Sequence, residues 1–330
     1  MAELSKKDRV RAALRGEADR PPVSLWGHDF LREWTPEELV ANTLDSYKPY
    51  DWDFIKFNPR ATYFAEAWGN TYERPTDQRQ PRPITSRVSG AGDLRAIEPL
   101  SARDGVFAEH LLALRMLRHE LGEDVDVLHT VFSPLSVTAL LAGTPVQFLA
   151  LVREDPTAAH AATRAVATTL AEYAAASIED SASGIFFAPL TWASRDTASE
   201  ELYREFGRPY DLQVLDAARG SDFNVLHVCR NNNMLDMLLD YPVAAFNWAD
   251  RGEGNASLAE AADRTSKAVM GGIDHARLHQ MSPDDVRAQA DEAAAAAAGH
   301  VFVTGGCAIP PQTPAANRQA LADAVRGHRS

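Results

Sequence analysis

Residues 268–304 read AVMGGIDHARLHQMSPDDVRAQADEAAAAAAGHVFVT, and this stretch contains the pattern that decides the fold. The short apolar run Ala268–Gly271 is followed by Ser282-Pro283-Asp284-Asp285, which combines a helix cap, a proline at the first helical position and two acids. An alanine-rich run then leads to Gly299, and a second apolar run, Val301–Thr304, begins directly after it. Strand, helix and strand in this order predict a βαβ unit with parallel strands.

The same alternation extends along the chain. Eight apolar runs have the length of strands that are buried on both faces. They are Val23–Trp26, Asp53–Phe57, Val125–Phe132, Gly184–Pro189, Phe223–Val228, Val243–Trp248, Ala268–Gly271 and Val301–Thr304. Further helix starts are predicted at Thr35-Pro36-Glu37-Glu38, Thr144-Pro145-Val146-Gln147 and Thr313-Pro314. Eight βα units predict a closed (β/α)₈ TIM barrel, with an open doubly wound sheet as the alternative. No G-x-G-x-x-G motif follows a predicted strand, so the pattern does not indicate a dinucleotide site.

Two segments lie outside this alternation. Residues Lys6–Leu14 predict a leading helix that covers the bottom of the barrel. The stretch Gly69–Pro99 is rich in Pro, Arg, Gly and Thr, and it predicts a hairpin-like insertion between strands 2 and 3, with strands at Thr71–Arg74 and Pro83–Val88. The pattern gives no sign of a second domain, so residues 1–330 are expected to form one barrel domain.

Composition and charge exclude several classes of protein. The 330 residues carry a formal charge of −13, and such a surface repels the phosphates of nucleic acids. Two cysteines cannot form a disulfide framework. No apolar run approaches the ~18 residues that span a bilayer, and residues 1–8 lack the apolar segment of a signal peptide. We therefore expect a cytoplasmic protein that binds neither nucleic acid nor membrane.

The carboxyl ends of the strands are where a TIM barrel holds its chemistry, and both cysteines lie there. His227 and Cys229 end the fifth predicted strand and point the same way, because they are two residues apart in an extended chain. Cys307 follows the eighth strand. One imidazole and two thiolates are three zinc ligands that leave a fourth position open. A single strand cysteine is more often a small buried apolar residue, but the coincidence of all three favours a metal site.

Other polar and aromatic residues also fall at predicted strand ends. Histidine titrates near neutral pH, and basic groups bind anions, so this set supplies candidates for proton transfer and substrate binding. Loop capping, internal ion pairing and core packing are the alternative roles for each of them. The candidate catalytic residues are His28, Asp29 and His275, and the candidate substrate-binding residues are Lys56, Arg60, His129 and Trp192.

The motif His227-x-Cys229 with the distant Gly305-Gly306-Cys307 resembles the zinc motif of one branch of the uroporphyrinogen decarboxylase superfamily, the corrinoid-dependent methyltransferases. The stretches that carry the resemblance span most of the chain. They are Arg9–Val23, Tyr50–Lys56, Gly271–Asp274 and Gly306–Asn317. The resemblance implies a (β/α)₈ barrel that is often dimeric, with Zn²⁺ held by His227, Cys229 and Cys307. It also implies a small thiol as acceptor and a methylated corrinoid as donor, carried by a partner protein.

The chain also departs from the family. Residues Leu25–Phe30 stand where the haem-pathway decarboxylases carry arginines for substrate carboxylates, so uroporphyrinogen is not the expected substrate. Asn231-Asn232-Asn233 lacks the glycine that often follows the zinc cysteine, and His275 replaces a common proline. Related methyltransferases place a carboxylate ligand near the end of the sixth strand. Asp250 is the nearest acid, but Asn247 and Trp248 lie closer to that position, and Asp250 could instead pair with Arg251.

The leading functional hypothesis is therefore zinc-dependent transfer of a methyl group from a methylcorrinoid to a thiol. Three alternatives stay open at this point. One is a zinc-dependent thiol alkyltransferase that uses no corrinoid. Another is cofactor-free decarboxylation of a smaller acid, and the last is a barrel that binds a ligand without turning it over.

Overall fold

Eight parallel strands form one sheet that curls into a nearly closed barrel in this computed structural model, which describes residues 3–297 and 299–328. The strands follow one another around the barrel in the order β1-β10-β9-β8-β7-β6-β5-β2. They are β1 Val23–Ser24, β2 Phe54–Phe57, β5 Asp126–Phe132, β6 Gly184–Ala188, β7 Val225–Val228, β8 Ala245–Trp248, β9 Ala268–Ile273 and β10 Val301–Gly305. Each predicted apolar run coincides with or overlaps one of these strands, and only β9 and β10 extend past the predicted ends, by two residues and one residue. The predicted TIM barrel is confirmed.

Helices connect the strands and cover the outside of the barrel. Over the described ranges they are α1 Lys6–Leu14, α2 Pro36–Tyr47, α3 Tyr63–Glu66, α4 Ala91–Arg95, α5 Gly105–Leu121, α6 Pro134–Leu141, α7 Pro145–Glu154, α8 Pro156–Glu179, α9 Glu200–Phe206, α10 Arg208–Ala217, α11 Leu235–Leu238, α12 Leu258–Ala262, α13 Pro283–Ala295 and α14 Ala315–Gly327, with 3₁₀ turns at Leu190–Ala193 and Leu278–Gln280. The predicted caps at Thr35, Thr144 and Ser282 each accept a backbone N–H three residues on. Thr35 and Glu38 do not form a reciprocal capping box, because the Glu38 carboxylate accepts from Trp34 N and not from Thr35 N.

Strand alternation divides the barrel residues into two cores. Side chains that point inward, among them Phe54, Leu128 and Phe302, pack with one another along the barrel axis. Val10 of α1 belongs to the same inner cluster, so the leading helix closes the bottom of the barrel as predicted. The strand residues that alternate with the inward-pointing ones, such as Val127, pack outward against the helices. The inner core fills the lower barrel, which leaves its polar groups at the upper end.

The seam between β1 and β2 is closed mainly by one buried carboxylate. Asp53 accepts from Val23 N at 2.9 Å and lies between two buried guanidinium groups, those of Arg9 at 2.9 Å and Arg20 at 2.7 and 2.9 Å. The backbone adds one bond across the seam, from Asp53 N to Val23 O, and the Ser24 hydroxyl donates to Phe54 O at 2.8 Å. A buried charge of this kind is tolerable only because it is paired and hydrogen-bonded.

The predicted insertion is an antiparallel hairpin of β3 Thr71–Glu73 and β4 Arg82–Thr85. Its turn reaches back to the barrel, because Gln78 donates to the Asp29 carboxylate at 2.7 Å. No single helix within the described ranges is long and apolar enough to span a membrane. One pair bent by 96°, Pro134–Leu141 with Pro145–Glu154, passes on length and composition alone.

Candidate functional site

An imidazole and two thiols converge at the upper end of the barrel. His227 lies on β7, Cys229 follows that strand directly, and Cys307 lies two residues beyond β10. His227 Nε2 is 3.4 Å from Cys307 Sγ, and the Cys229 thiol is hydrogen-bonded to Cys307. The two cysteines are 78 positions apart in the chain, so the closed barrel is what brings them together.

Two glycines let Cys307 approach the other donors. A Cβ atom on Gly306 would lie 2.7 Å from Trp248 O and 2.8 Å from Ala249 Cα, distances that real Cβ atoms do not adopt. The same atom would lie 3.3 Å from His275 Nδ1. A Cβ atom on Gly305 would likewise lie 2.9 Å from Cys307 O, so the close packing of the rim requires both glycines.

Asn247 fixes the proton on His227. Its amide nitrogen lies 3.0 Å from Met270 O and 3.1 Å from Gly305 O, both of which only accept hydrogen bonds. The amide oxygen must therefore be the atom 2.6 Å from His227 Nδ1, and it can only accept a proton from that nitrogen. Neutral His227 thus carries its proton on Nδ1 and directs the Nε2 lone pair at the thiols.

The two thiols have opposite proton affinities. The hydrogen bond from Cys229 holds the pKa of Cys307 well below its usual range, although burial acts in the opposite direction. The same hydrogen bond and burial raise the pKa of the Cys229 thiol. Cys307 is therefore the first of the pair to become a thiolate, with Cys229 as its hydrogen-bond donor.

The donor set fits a soft divalent metal by its chemistry. Thiolate sulfur and imidazole nitrogen are zinc ligands, and two such atoms on one tetrahedral zinc lie ~3.6 Å apart, close to the 3.4 Å between Cys307 and His227. In this structure His227 and the two thiols are hydrogen-bonded to one another and do not surround a metal position. Among residues 3–297 and 299–328, no group of three or more His, Cys, Asp or Glu side chains has the arrangement of a metal centre.

A lysine and a buried acid also lie at the mouth, on β2 and in the loop after β1. Lys56, on β2, donates to Asn58 Oδ1, and its ammonium lies 5.1 Å from the centre of the Phe186 ring. Burial lowers its pKa to about 7, while the charges of Cys307 and Glu33 act in the opposite direction. Glu33 is 1% exposed, and its Oε2 is 2.8 Å from His28 Nδ1. Its other carboxylate oxygen has no hydrogen-bond partner among the described residues.

His275 lies near the thiols, whereas Asp250 turns away from them. The charges of Cys307 and His227 both act on His275, and burial lowers its pKa. Asp250 accepts from Gly272 N at 3.1 Å, and burial raises its pKa to about 6. His275 therefore belongs to the candidate site, and the Asp250 carboxylate supports the loop after β8.

Three predicted substrate-binding residues lie outside the mouth. Arg60 is 4% exposed and pairs with both oxygens of Glu66 at 3.1 and 2.9 Å, so its charge is used inside the protein. His129 points outward, because it alternates with the inward residues of β5, and it lies between Ser177 and Tyr173 of α8. Burial lowers its pKa to about 3.

Trp192 packs edge-to-face on Phe148 with ring centres 5.3 Å apart, deep among the helices. Asp29, a predicted catalytic residue, caps its own loop by accepting from Leu31 N and Gln78. It lines a rim cavity of about 250 Å³ together with His28. These contacts favour core packing as the role of Trp192 and loop capping as the role of Asp29.

Sequence reasoning missed two residues of the site. Glu33 stands in the polar segment Leu31-Arg32-Glu33-Trp34, which has the composition of an exposed loop. The sequence marks Asn247 only by its position near the end of the sixth predicted strand. Asn247 is two residues from Ala245 on the same strand, so the two side chains share a face, and this spacing could have shown that Asn247 points inward. Its bond to His227, however, depends on the pairing of β7 with β8.

Comparison with known proteins gives three kinds of match. The family described as uroporphyrinogen decarboxylase (URO-D) matches residues 5–328. A methylcobamide:CoM methyltransferase from Methanosarcina mazei is 27% identical over 347 aligned positions, which cover all of both chains. Another from Methanosarcina barkeri is 25% identical and covers 97% of each chain.

Two solved structures share the fold. A methyltransferase from Methanosarcina mazei superposes with a TM-score of 0.81 at 22% identity, covering 98% of this chain and 99% of that one. A B12-independent methionine synthase from Shewanella sp. W3-18-1 superposes with a TM-score of 0.61 at 14% identity, covering 94% and 98%.

Proposed function

The chain belongs to the uroporphyrinogen decarboxylase (URO-D) family, and from this we propose that it is a zinc-dependent methyltransferase that moves a methyl group from a methylated corrinoid to a thiol. The names of the full-length relatives support the reaction class and the corrinoid donor. The observation that carries the proposal is the convergence of His227 Nε2 and the two thiols at the barrel mouth.

His227, Cys229 and Cys307 are the proposed zinc ligands. Bound zinc would hold the acceptor sulfur as a thiolate at neutral pH. His227 offers Nε2 because Asn247 keeps the proton on Nδ1. Cys307 offers a thiolate because its neighbours lower its pKa. The protein therefore presents these two donors already in their ligating protonation states.

The other residues at the mouth balance charge or are candidates for proton transfer. Lys56 balances the negative charge of Cys307 and Glu33, and its position supports a role in holding the substrate. His275 packs against Gly305 and Gly306, directly before Cys307, and we assign it as the base that accepts the proton an incoming thiol loses. The His28–Glu33 pair lies in the loop after β1, which is bridged to the loop that follows Cys307 at Gly27 and Ile309, and it is a second candidate for proton transfer. Asp29 keeps the His28 loop in place.

The corrinoid is proposed to arrive on a separate partner protein that docks at the open mouth, and the acceptor is a small thiol. A homodimer stays an expectation from the family resemblance, and a cytoplasmic location stays a prediction from the sequence.

A direct assay tests the proposed reaction. Protein purified without added metal is expected to contain about one zinc per chain by elemental mass spectrometry. With free methylcobalamin and a panel of small thiols, it is expected to form the S-methyl thioether, and removal of the metal by a chelator is expected to stop this. Thioether formation from another alkyl donor without any corrinoid would favour the alkyltransferase alternative. Full activity after metal removal would contradict the proposal.

Replacing Asn247 by alanine is expected to lower zinc affinity about 10- to 100-fold, the usual cost of losing the partner that orients a histidine ligand. The cause is loss of the 2.6 Å hydrogen bond that fixes the His227 tautomer. Competition with a chromophoric chelator measures the affinity. Replacing the nearby exposed Asn231 leaves His227 untouched and serves as the control. Equal zinc affinity in Asn247→Ala and the wild type would show that the amide does not orient the ligand.

A further inference from the structure

Asp211, on α10, is an acid that the proposed function does not use, and its side chain is completely buried. Its Oδ2 lies 2.6 Å from the hydroxyl oxygen of Tyr203, on α9, and 2.9 Å from the hydroxyl oxygen of Tyr241. Both tyrosines are buried as well. Tyr241 lies in the loop between α11 and β8, at the lower end of the barrel, whereas the thiols lie at the upper end. One carboxyl group therefore connects three separate elements, away from the candidate site.

No basic group pairs with the Asp211 carboxyl group among residues 3–297 and 299–328. Arg208, one turn earlier on α10, binds both oxygens of Asp240 at 2.9 and 2.6 Å, and its guanidinium lies over the Tyr241 ring, 5.1 Å from the ring centre. Lys267, just before β9, donates to the backbone oxygen of Tyr241. The positive charges around the buried carboxyl group are therefore used by other acceptors.

The other helices packed against α10 supply no partner for Asp211 either. α6 contains no titratable residue. On α8, the His160 imidazole is 2.9 Å from the Tyr210 hydroxyl and 3.4 Å from a Glu205 carboxylate oxygen, and Tyr173 is hydrogen-bonded to Tyr63. The remaining acids and bases of α8 and α9 lie at the surface: Arg164, Glu172, Glu179, Glu200, Glu201 and Arg204. The two phenols are thus the hydrogen-bonding groups that face the acid.

These contacts favour the neutral carboxylic acid over the carboxylate. Oδ1 of Asp211 has no hydrogen-bond partner among the described residues, and an ionised group would place part of its charge on that buried atom. In the neutral acid, a proton on Oδ2 is donated to one phenol oxygen while the other phenol donates to Oδ2. Burial accordingly raises the pKa of Asp211 to about 7, although the two phenol hydrogen bonds act in the opposite direction.

We propose that Asp211 stays a neutral carboxylic acid in the folded protein below neutral pH and acts as a pH-sensitive switch that joins α10 to α9 and to the loop before β8. Loss of its proton places charge on the buried Oδ1, which water can reach only if the surrounding elements separate. We therefore expect α9 and α10 to loosen from the barrel above neutral pH. These helices connect β6 to β7, the strand that carries His227, but the switch itself depends on neither zinc nor methyl transfer.

The test follows stability against pH in the wild type and in Asp211→Asn, which cannot ionise. Between the ordinary aspartate pKa of about 3.9 and the raised pKa, the unfolded chain releases a proton that the folded protein keeps, so wild-type stability falls as the pH rises and then levels off. We expect the unfolding equilibrium constant of the wild type to rise about 50-fold relative to that of Asp211→Asn between pH 5 and pH 7. Urea unfolding measures both constants, and any constant cost of the amide cancels in the comparison.

Asp216→Asn is the matched control, because it makes the same change at an exposed acid on the same helix, and its pH profile is expected to follow that of the wild type. Amide hydrogen exchange gives a measurement that needs no variant. After correction for the intrinsic exchange rate, peptides of α9 and α10 in the wild type are expected to lose protection between pH 6 and pH 8, whereas peptides of α13 keep it. Parallel pH profiles of the wild type and Asp211→Asn, or an equal loss of protection in α13, would overturn the inference.

Discussion

Replacing Cys307 by alanine is expected to remove zinc and thiol methylation together. The variant loses one of three protein ligands and the thiolate that is 3.4 Å from His227 Nε2. We expect metal content to fall from about one zinc per chain to below ~0.1, and the methylation rate to below ~1% of the wild type. Elemental mass spectrometry and thioether formation from methylcobalamin measure the two effects.

The matched control is Gln312→Ala, which changes an exposed residue in the same loop and is expected to keep both metal and activity. Circular dichroism should show a folded barrel for both variants, since Cys307 is a small residue on the rim. Retained methyl transfer in Cys307→Ala would refute the zinc mechanism, even if the zinc were lost.

Replacing Asp53 by alanine is expected to lower the free energy of unfolding by about 3–5 kcal/mol, the cost of removing one partner from a buried ion network. The change leaves Arg9 and Arg20 buried without their shared carboxylate, at 2% and 8% exposure. It also removes the acceptor for Val23 N at the seam. Urea unfolding followed by circular dichroism measures the effect, and a loss of this size is a large share of the stability of an ordinary domain.

Asp51→Ala provides the comparison for Asp53. Asp51 pairs with Lys6, but its side chain is 65% exposed, so its loss is expected to cost less than about 1 kcal/mol. If the two variants were equally stable, the seam would not depend on the buried carboxylate.

The fold could be predicted because its information is local. Each barrel strand coincides with a short apolar run, and several are followed by a proline-marked helix start or an alanine-rich helix, so the alternation predicts eight units. The seam could not be predicted in this way. Asp53 begins an apolar run like any other strand residue, and its pairing with Arg9 and Arg20 depends on how the leading helix packs under the barrel.

The candidate site could be predicted only for residues that the sequence marks by their position at the end of a predicted strand. His227 lies on β7 with Cys229 directly after it, and Cys307 lies two residues beyond β10, so the barrel geometry brings them together. His129 shows the limit, because a polar residue inside an apolar strand can point to either side. Its phase relative to its neighbours sends it to the helices. Glu33 lies in the loop between β1 and α2, and hydrophobic periodicity in a sequence does not predict the course of a loop.

The seam also bears on how this barrel avoids associating with other chains. A closed barrel has no free strand edge, whereas β1 and β2 become two edges whenever the seam opens. β1 offers only two residues for pairing with another chain. Asp53 would place a carboxylate at the start of the other edge, where an added strand would have to bury it. The group that closes the barrel therefore also makes its opened form a poor template for edge-to-edge aggregation.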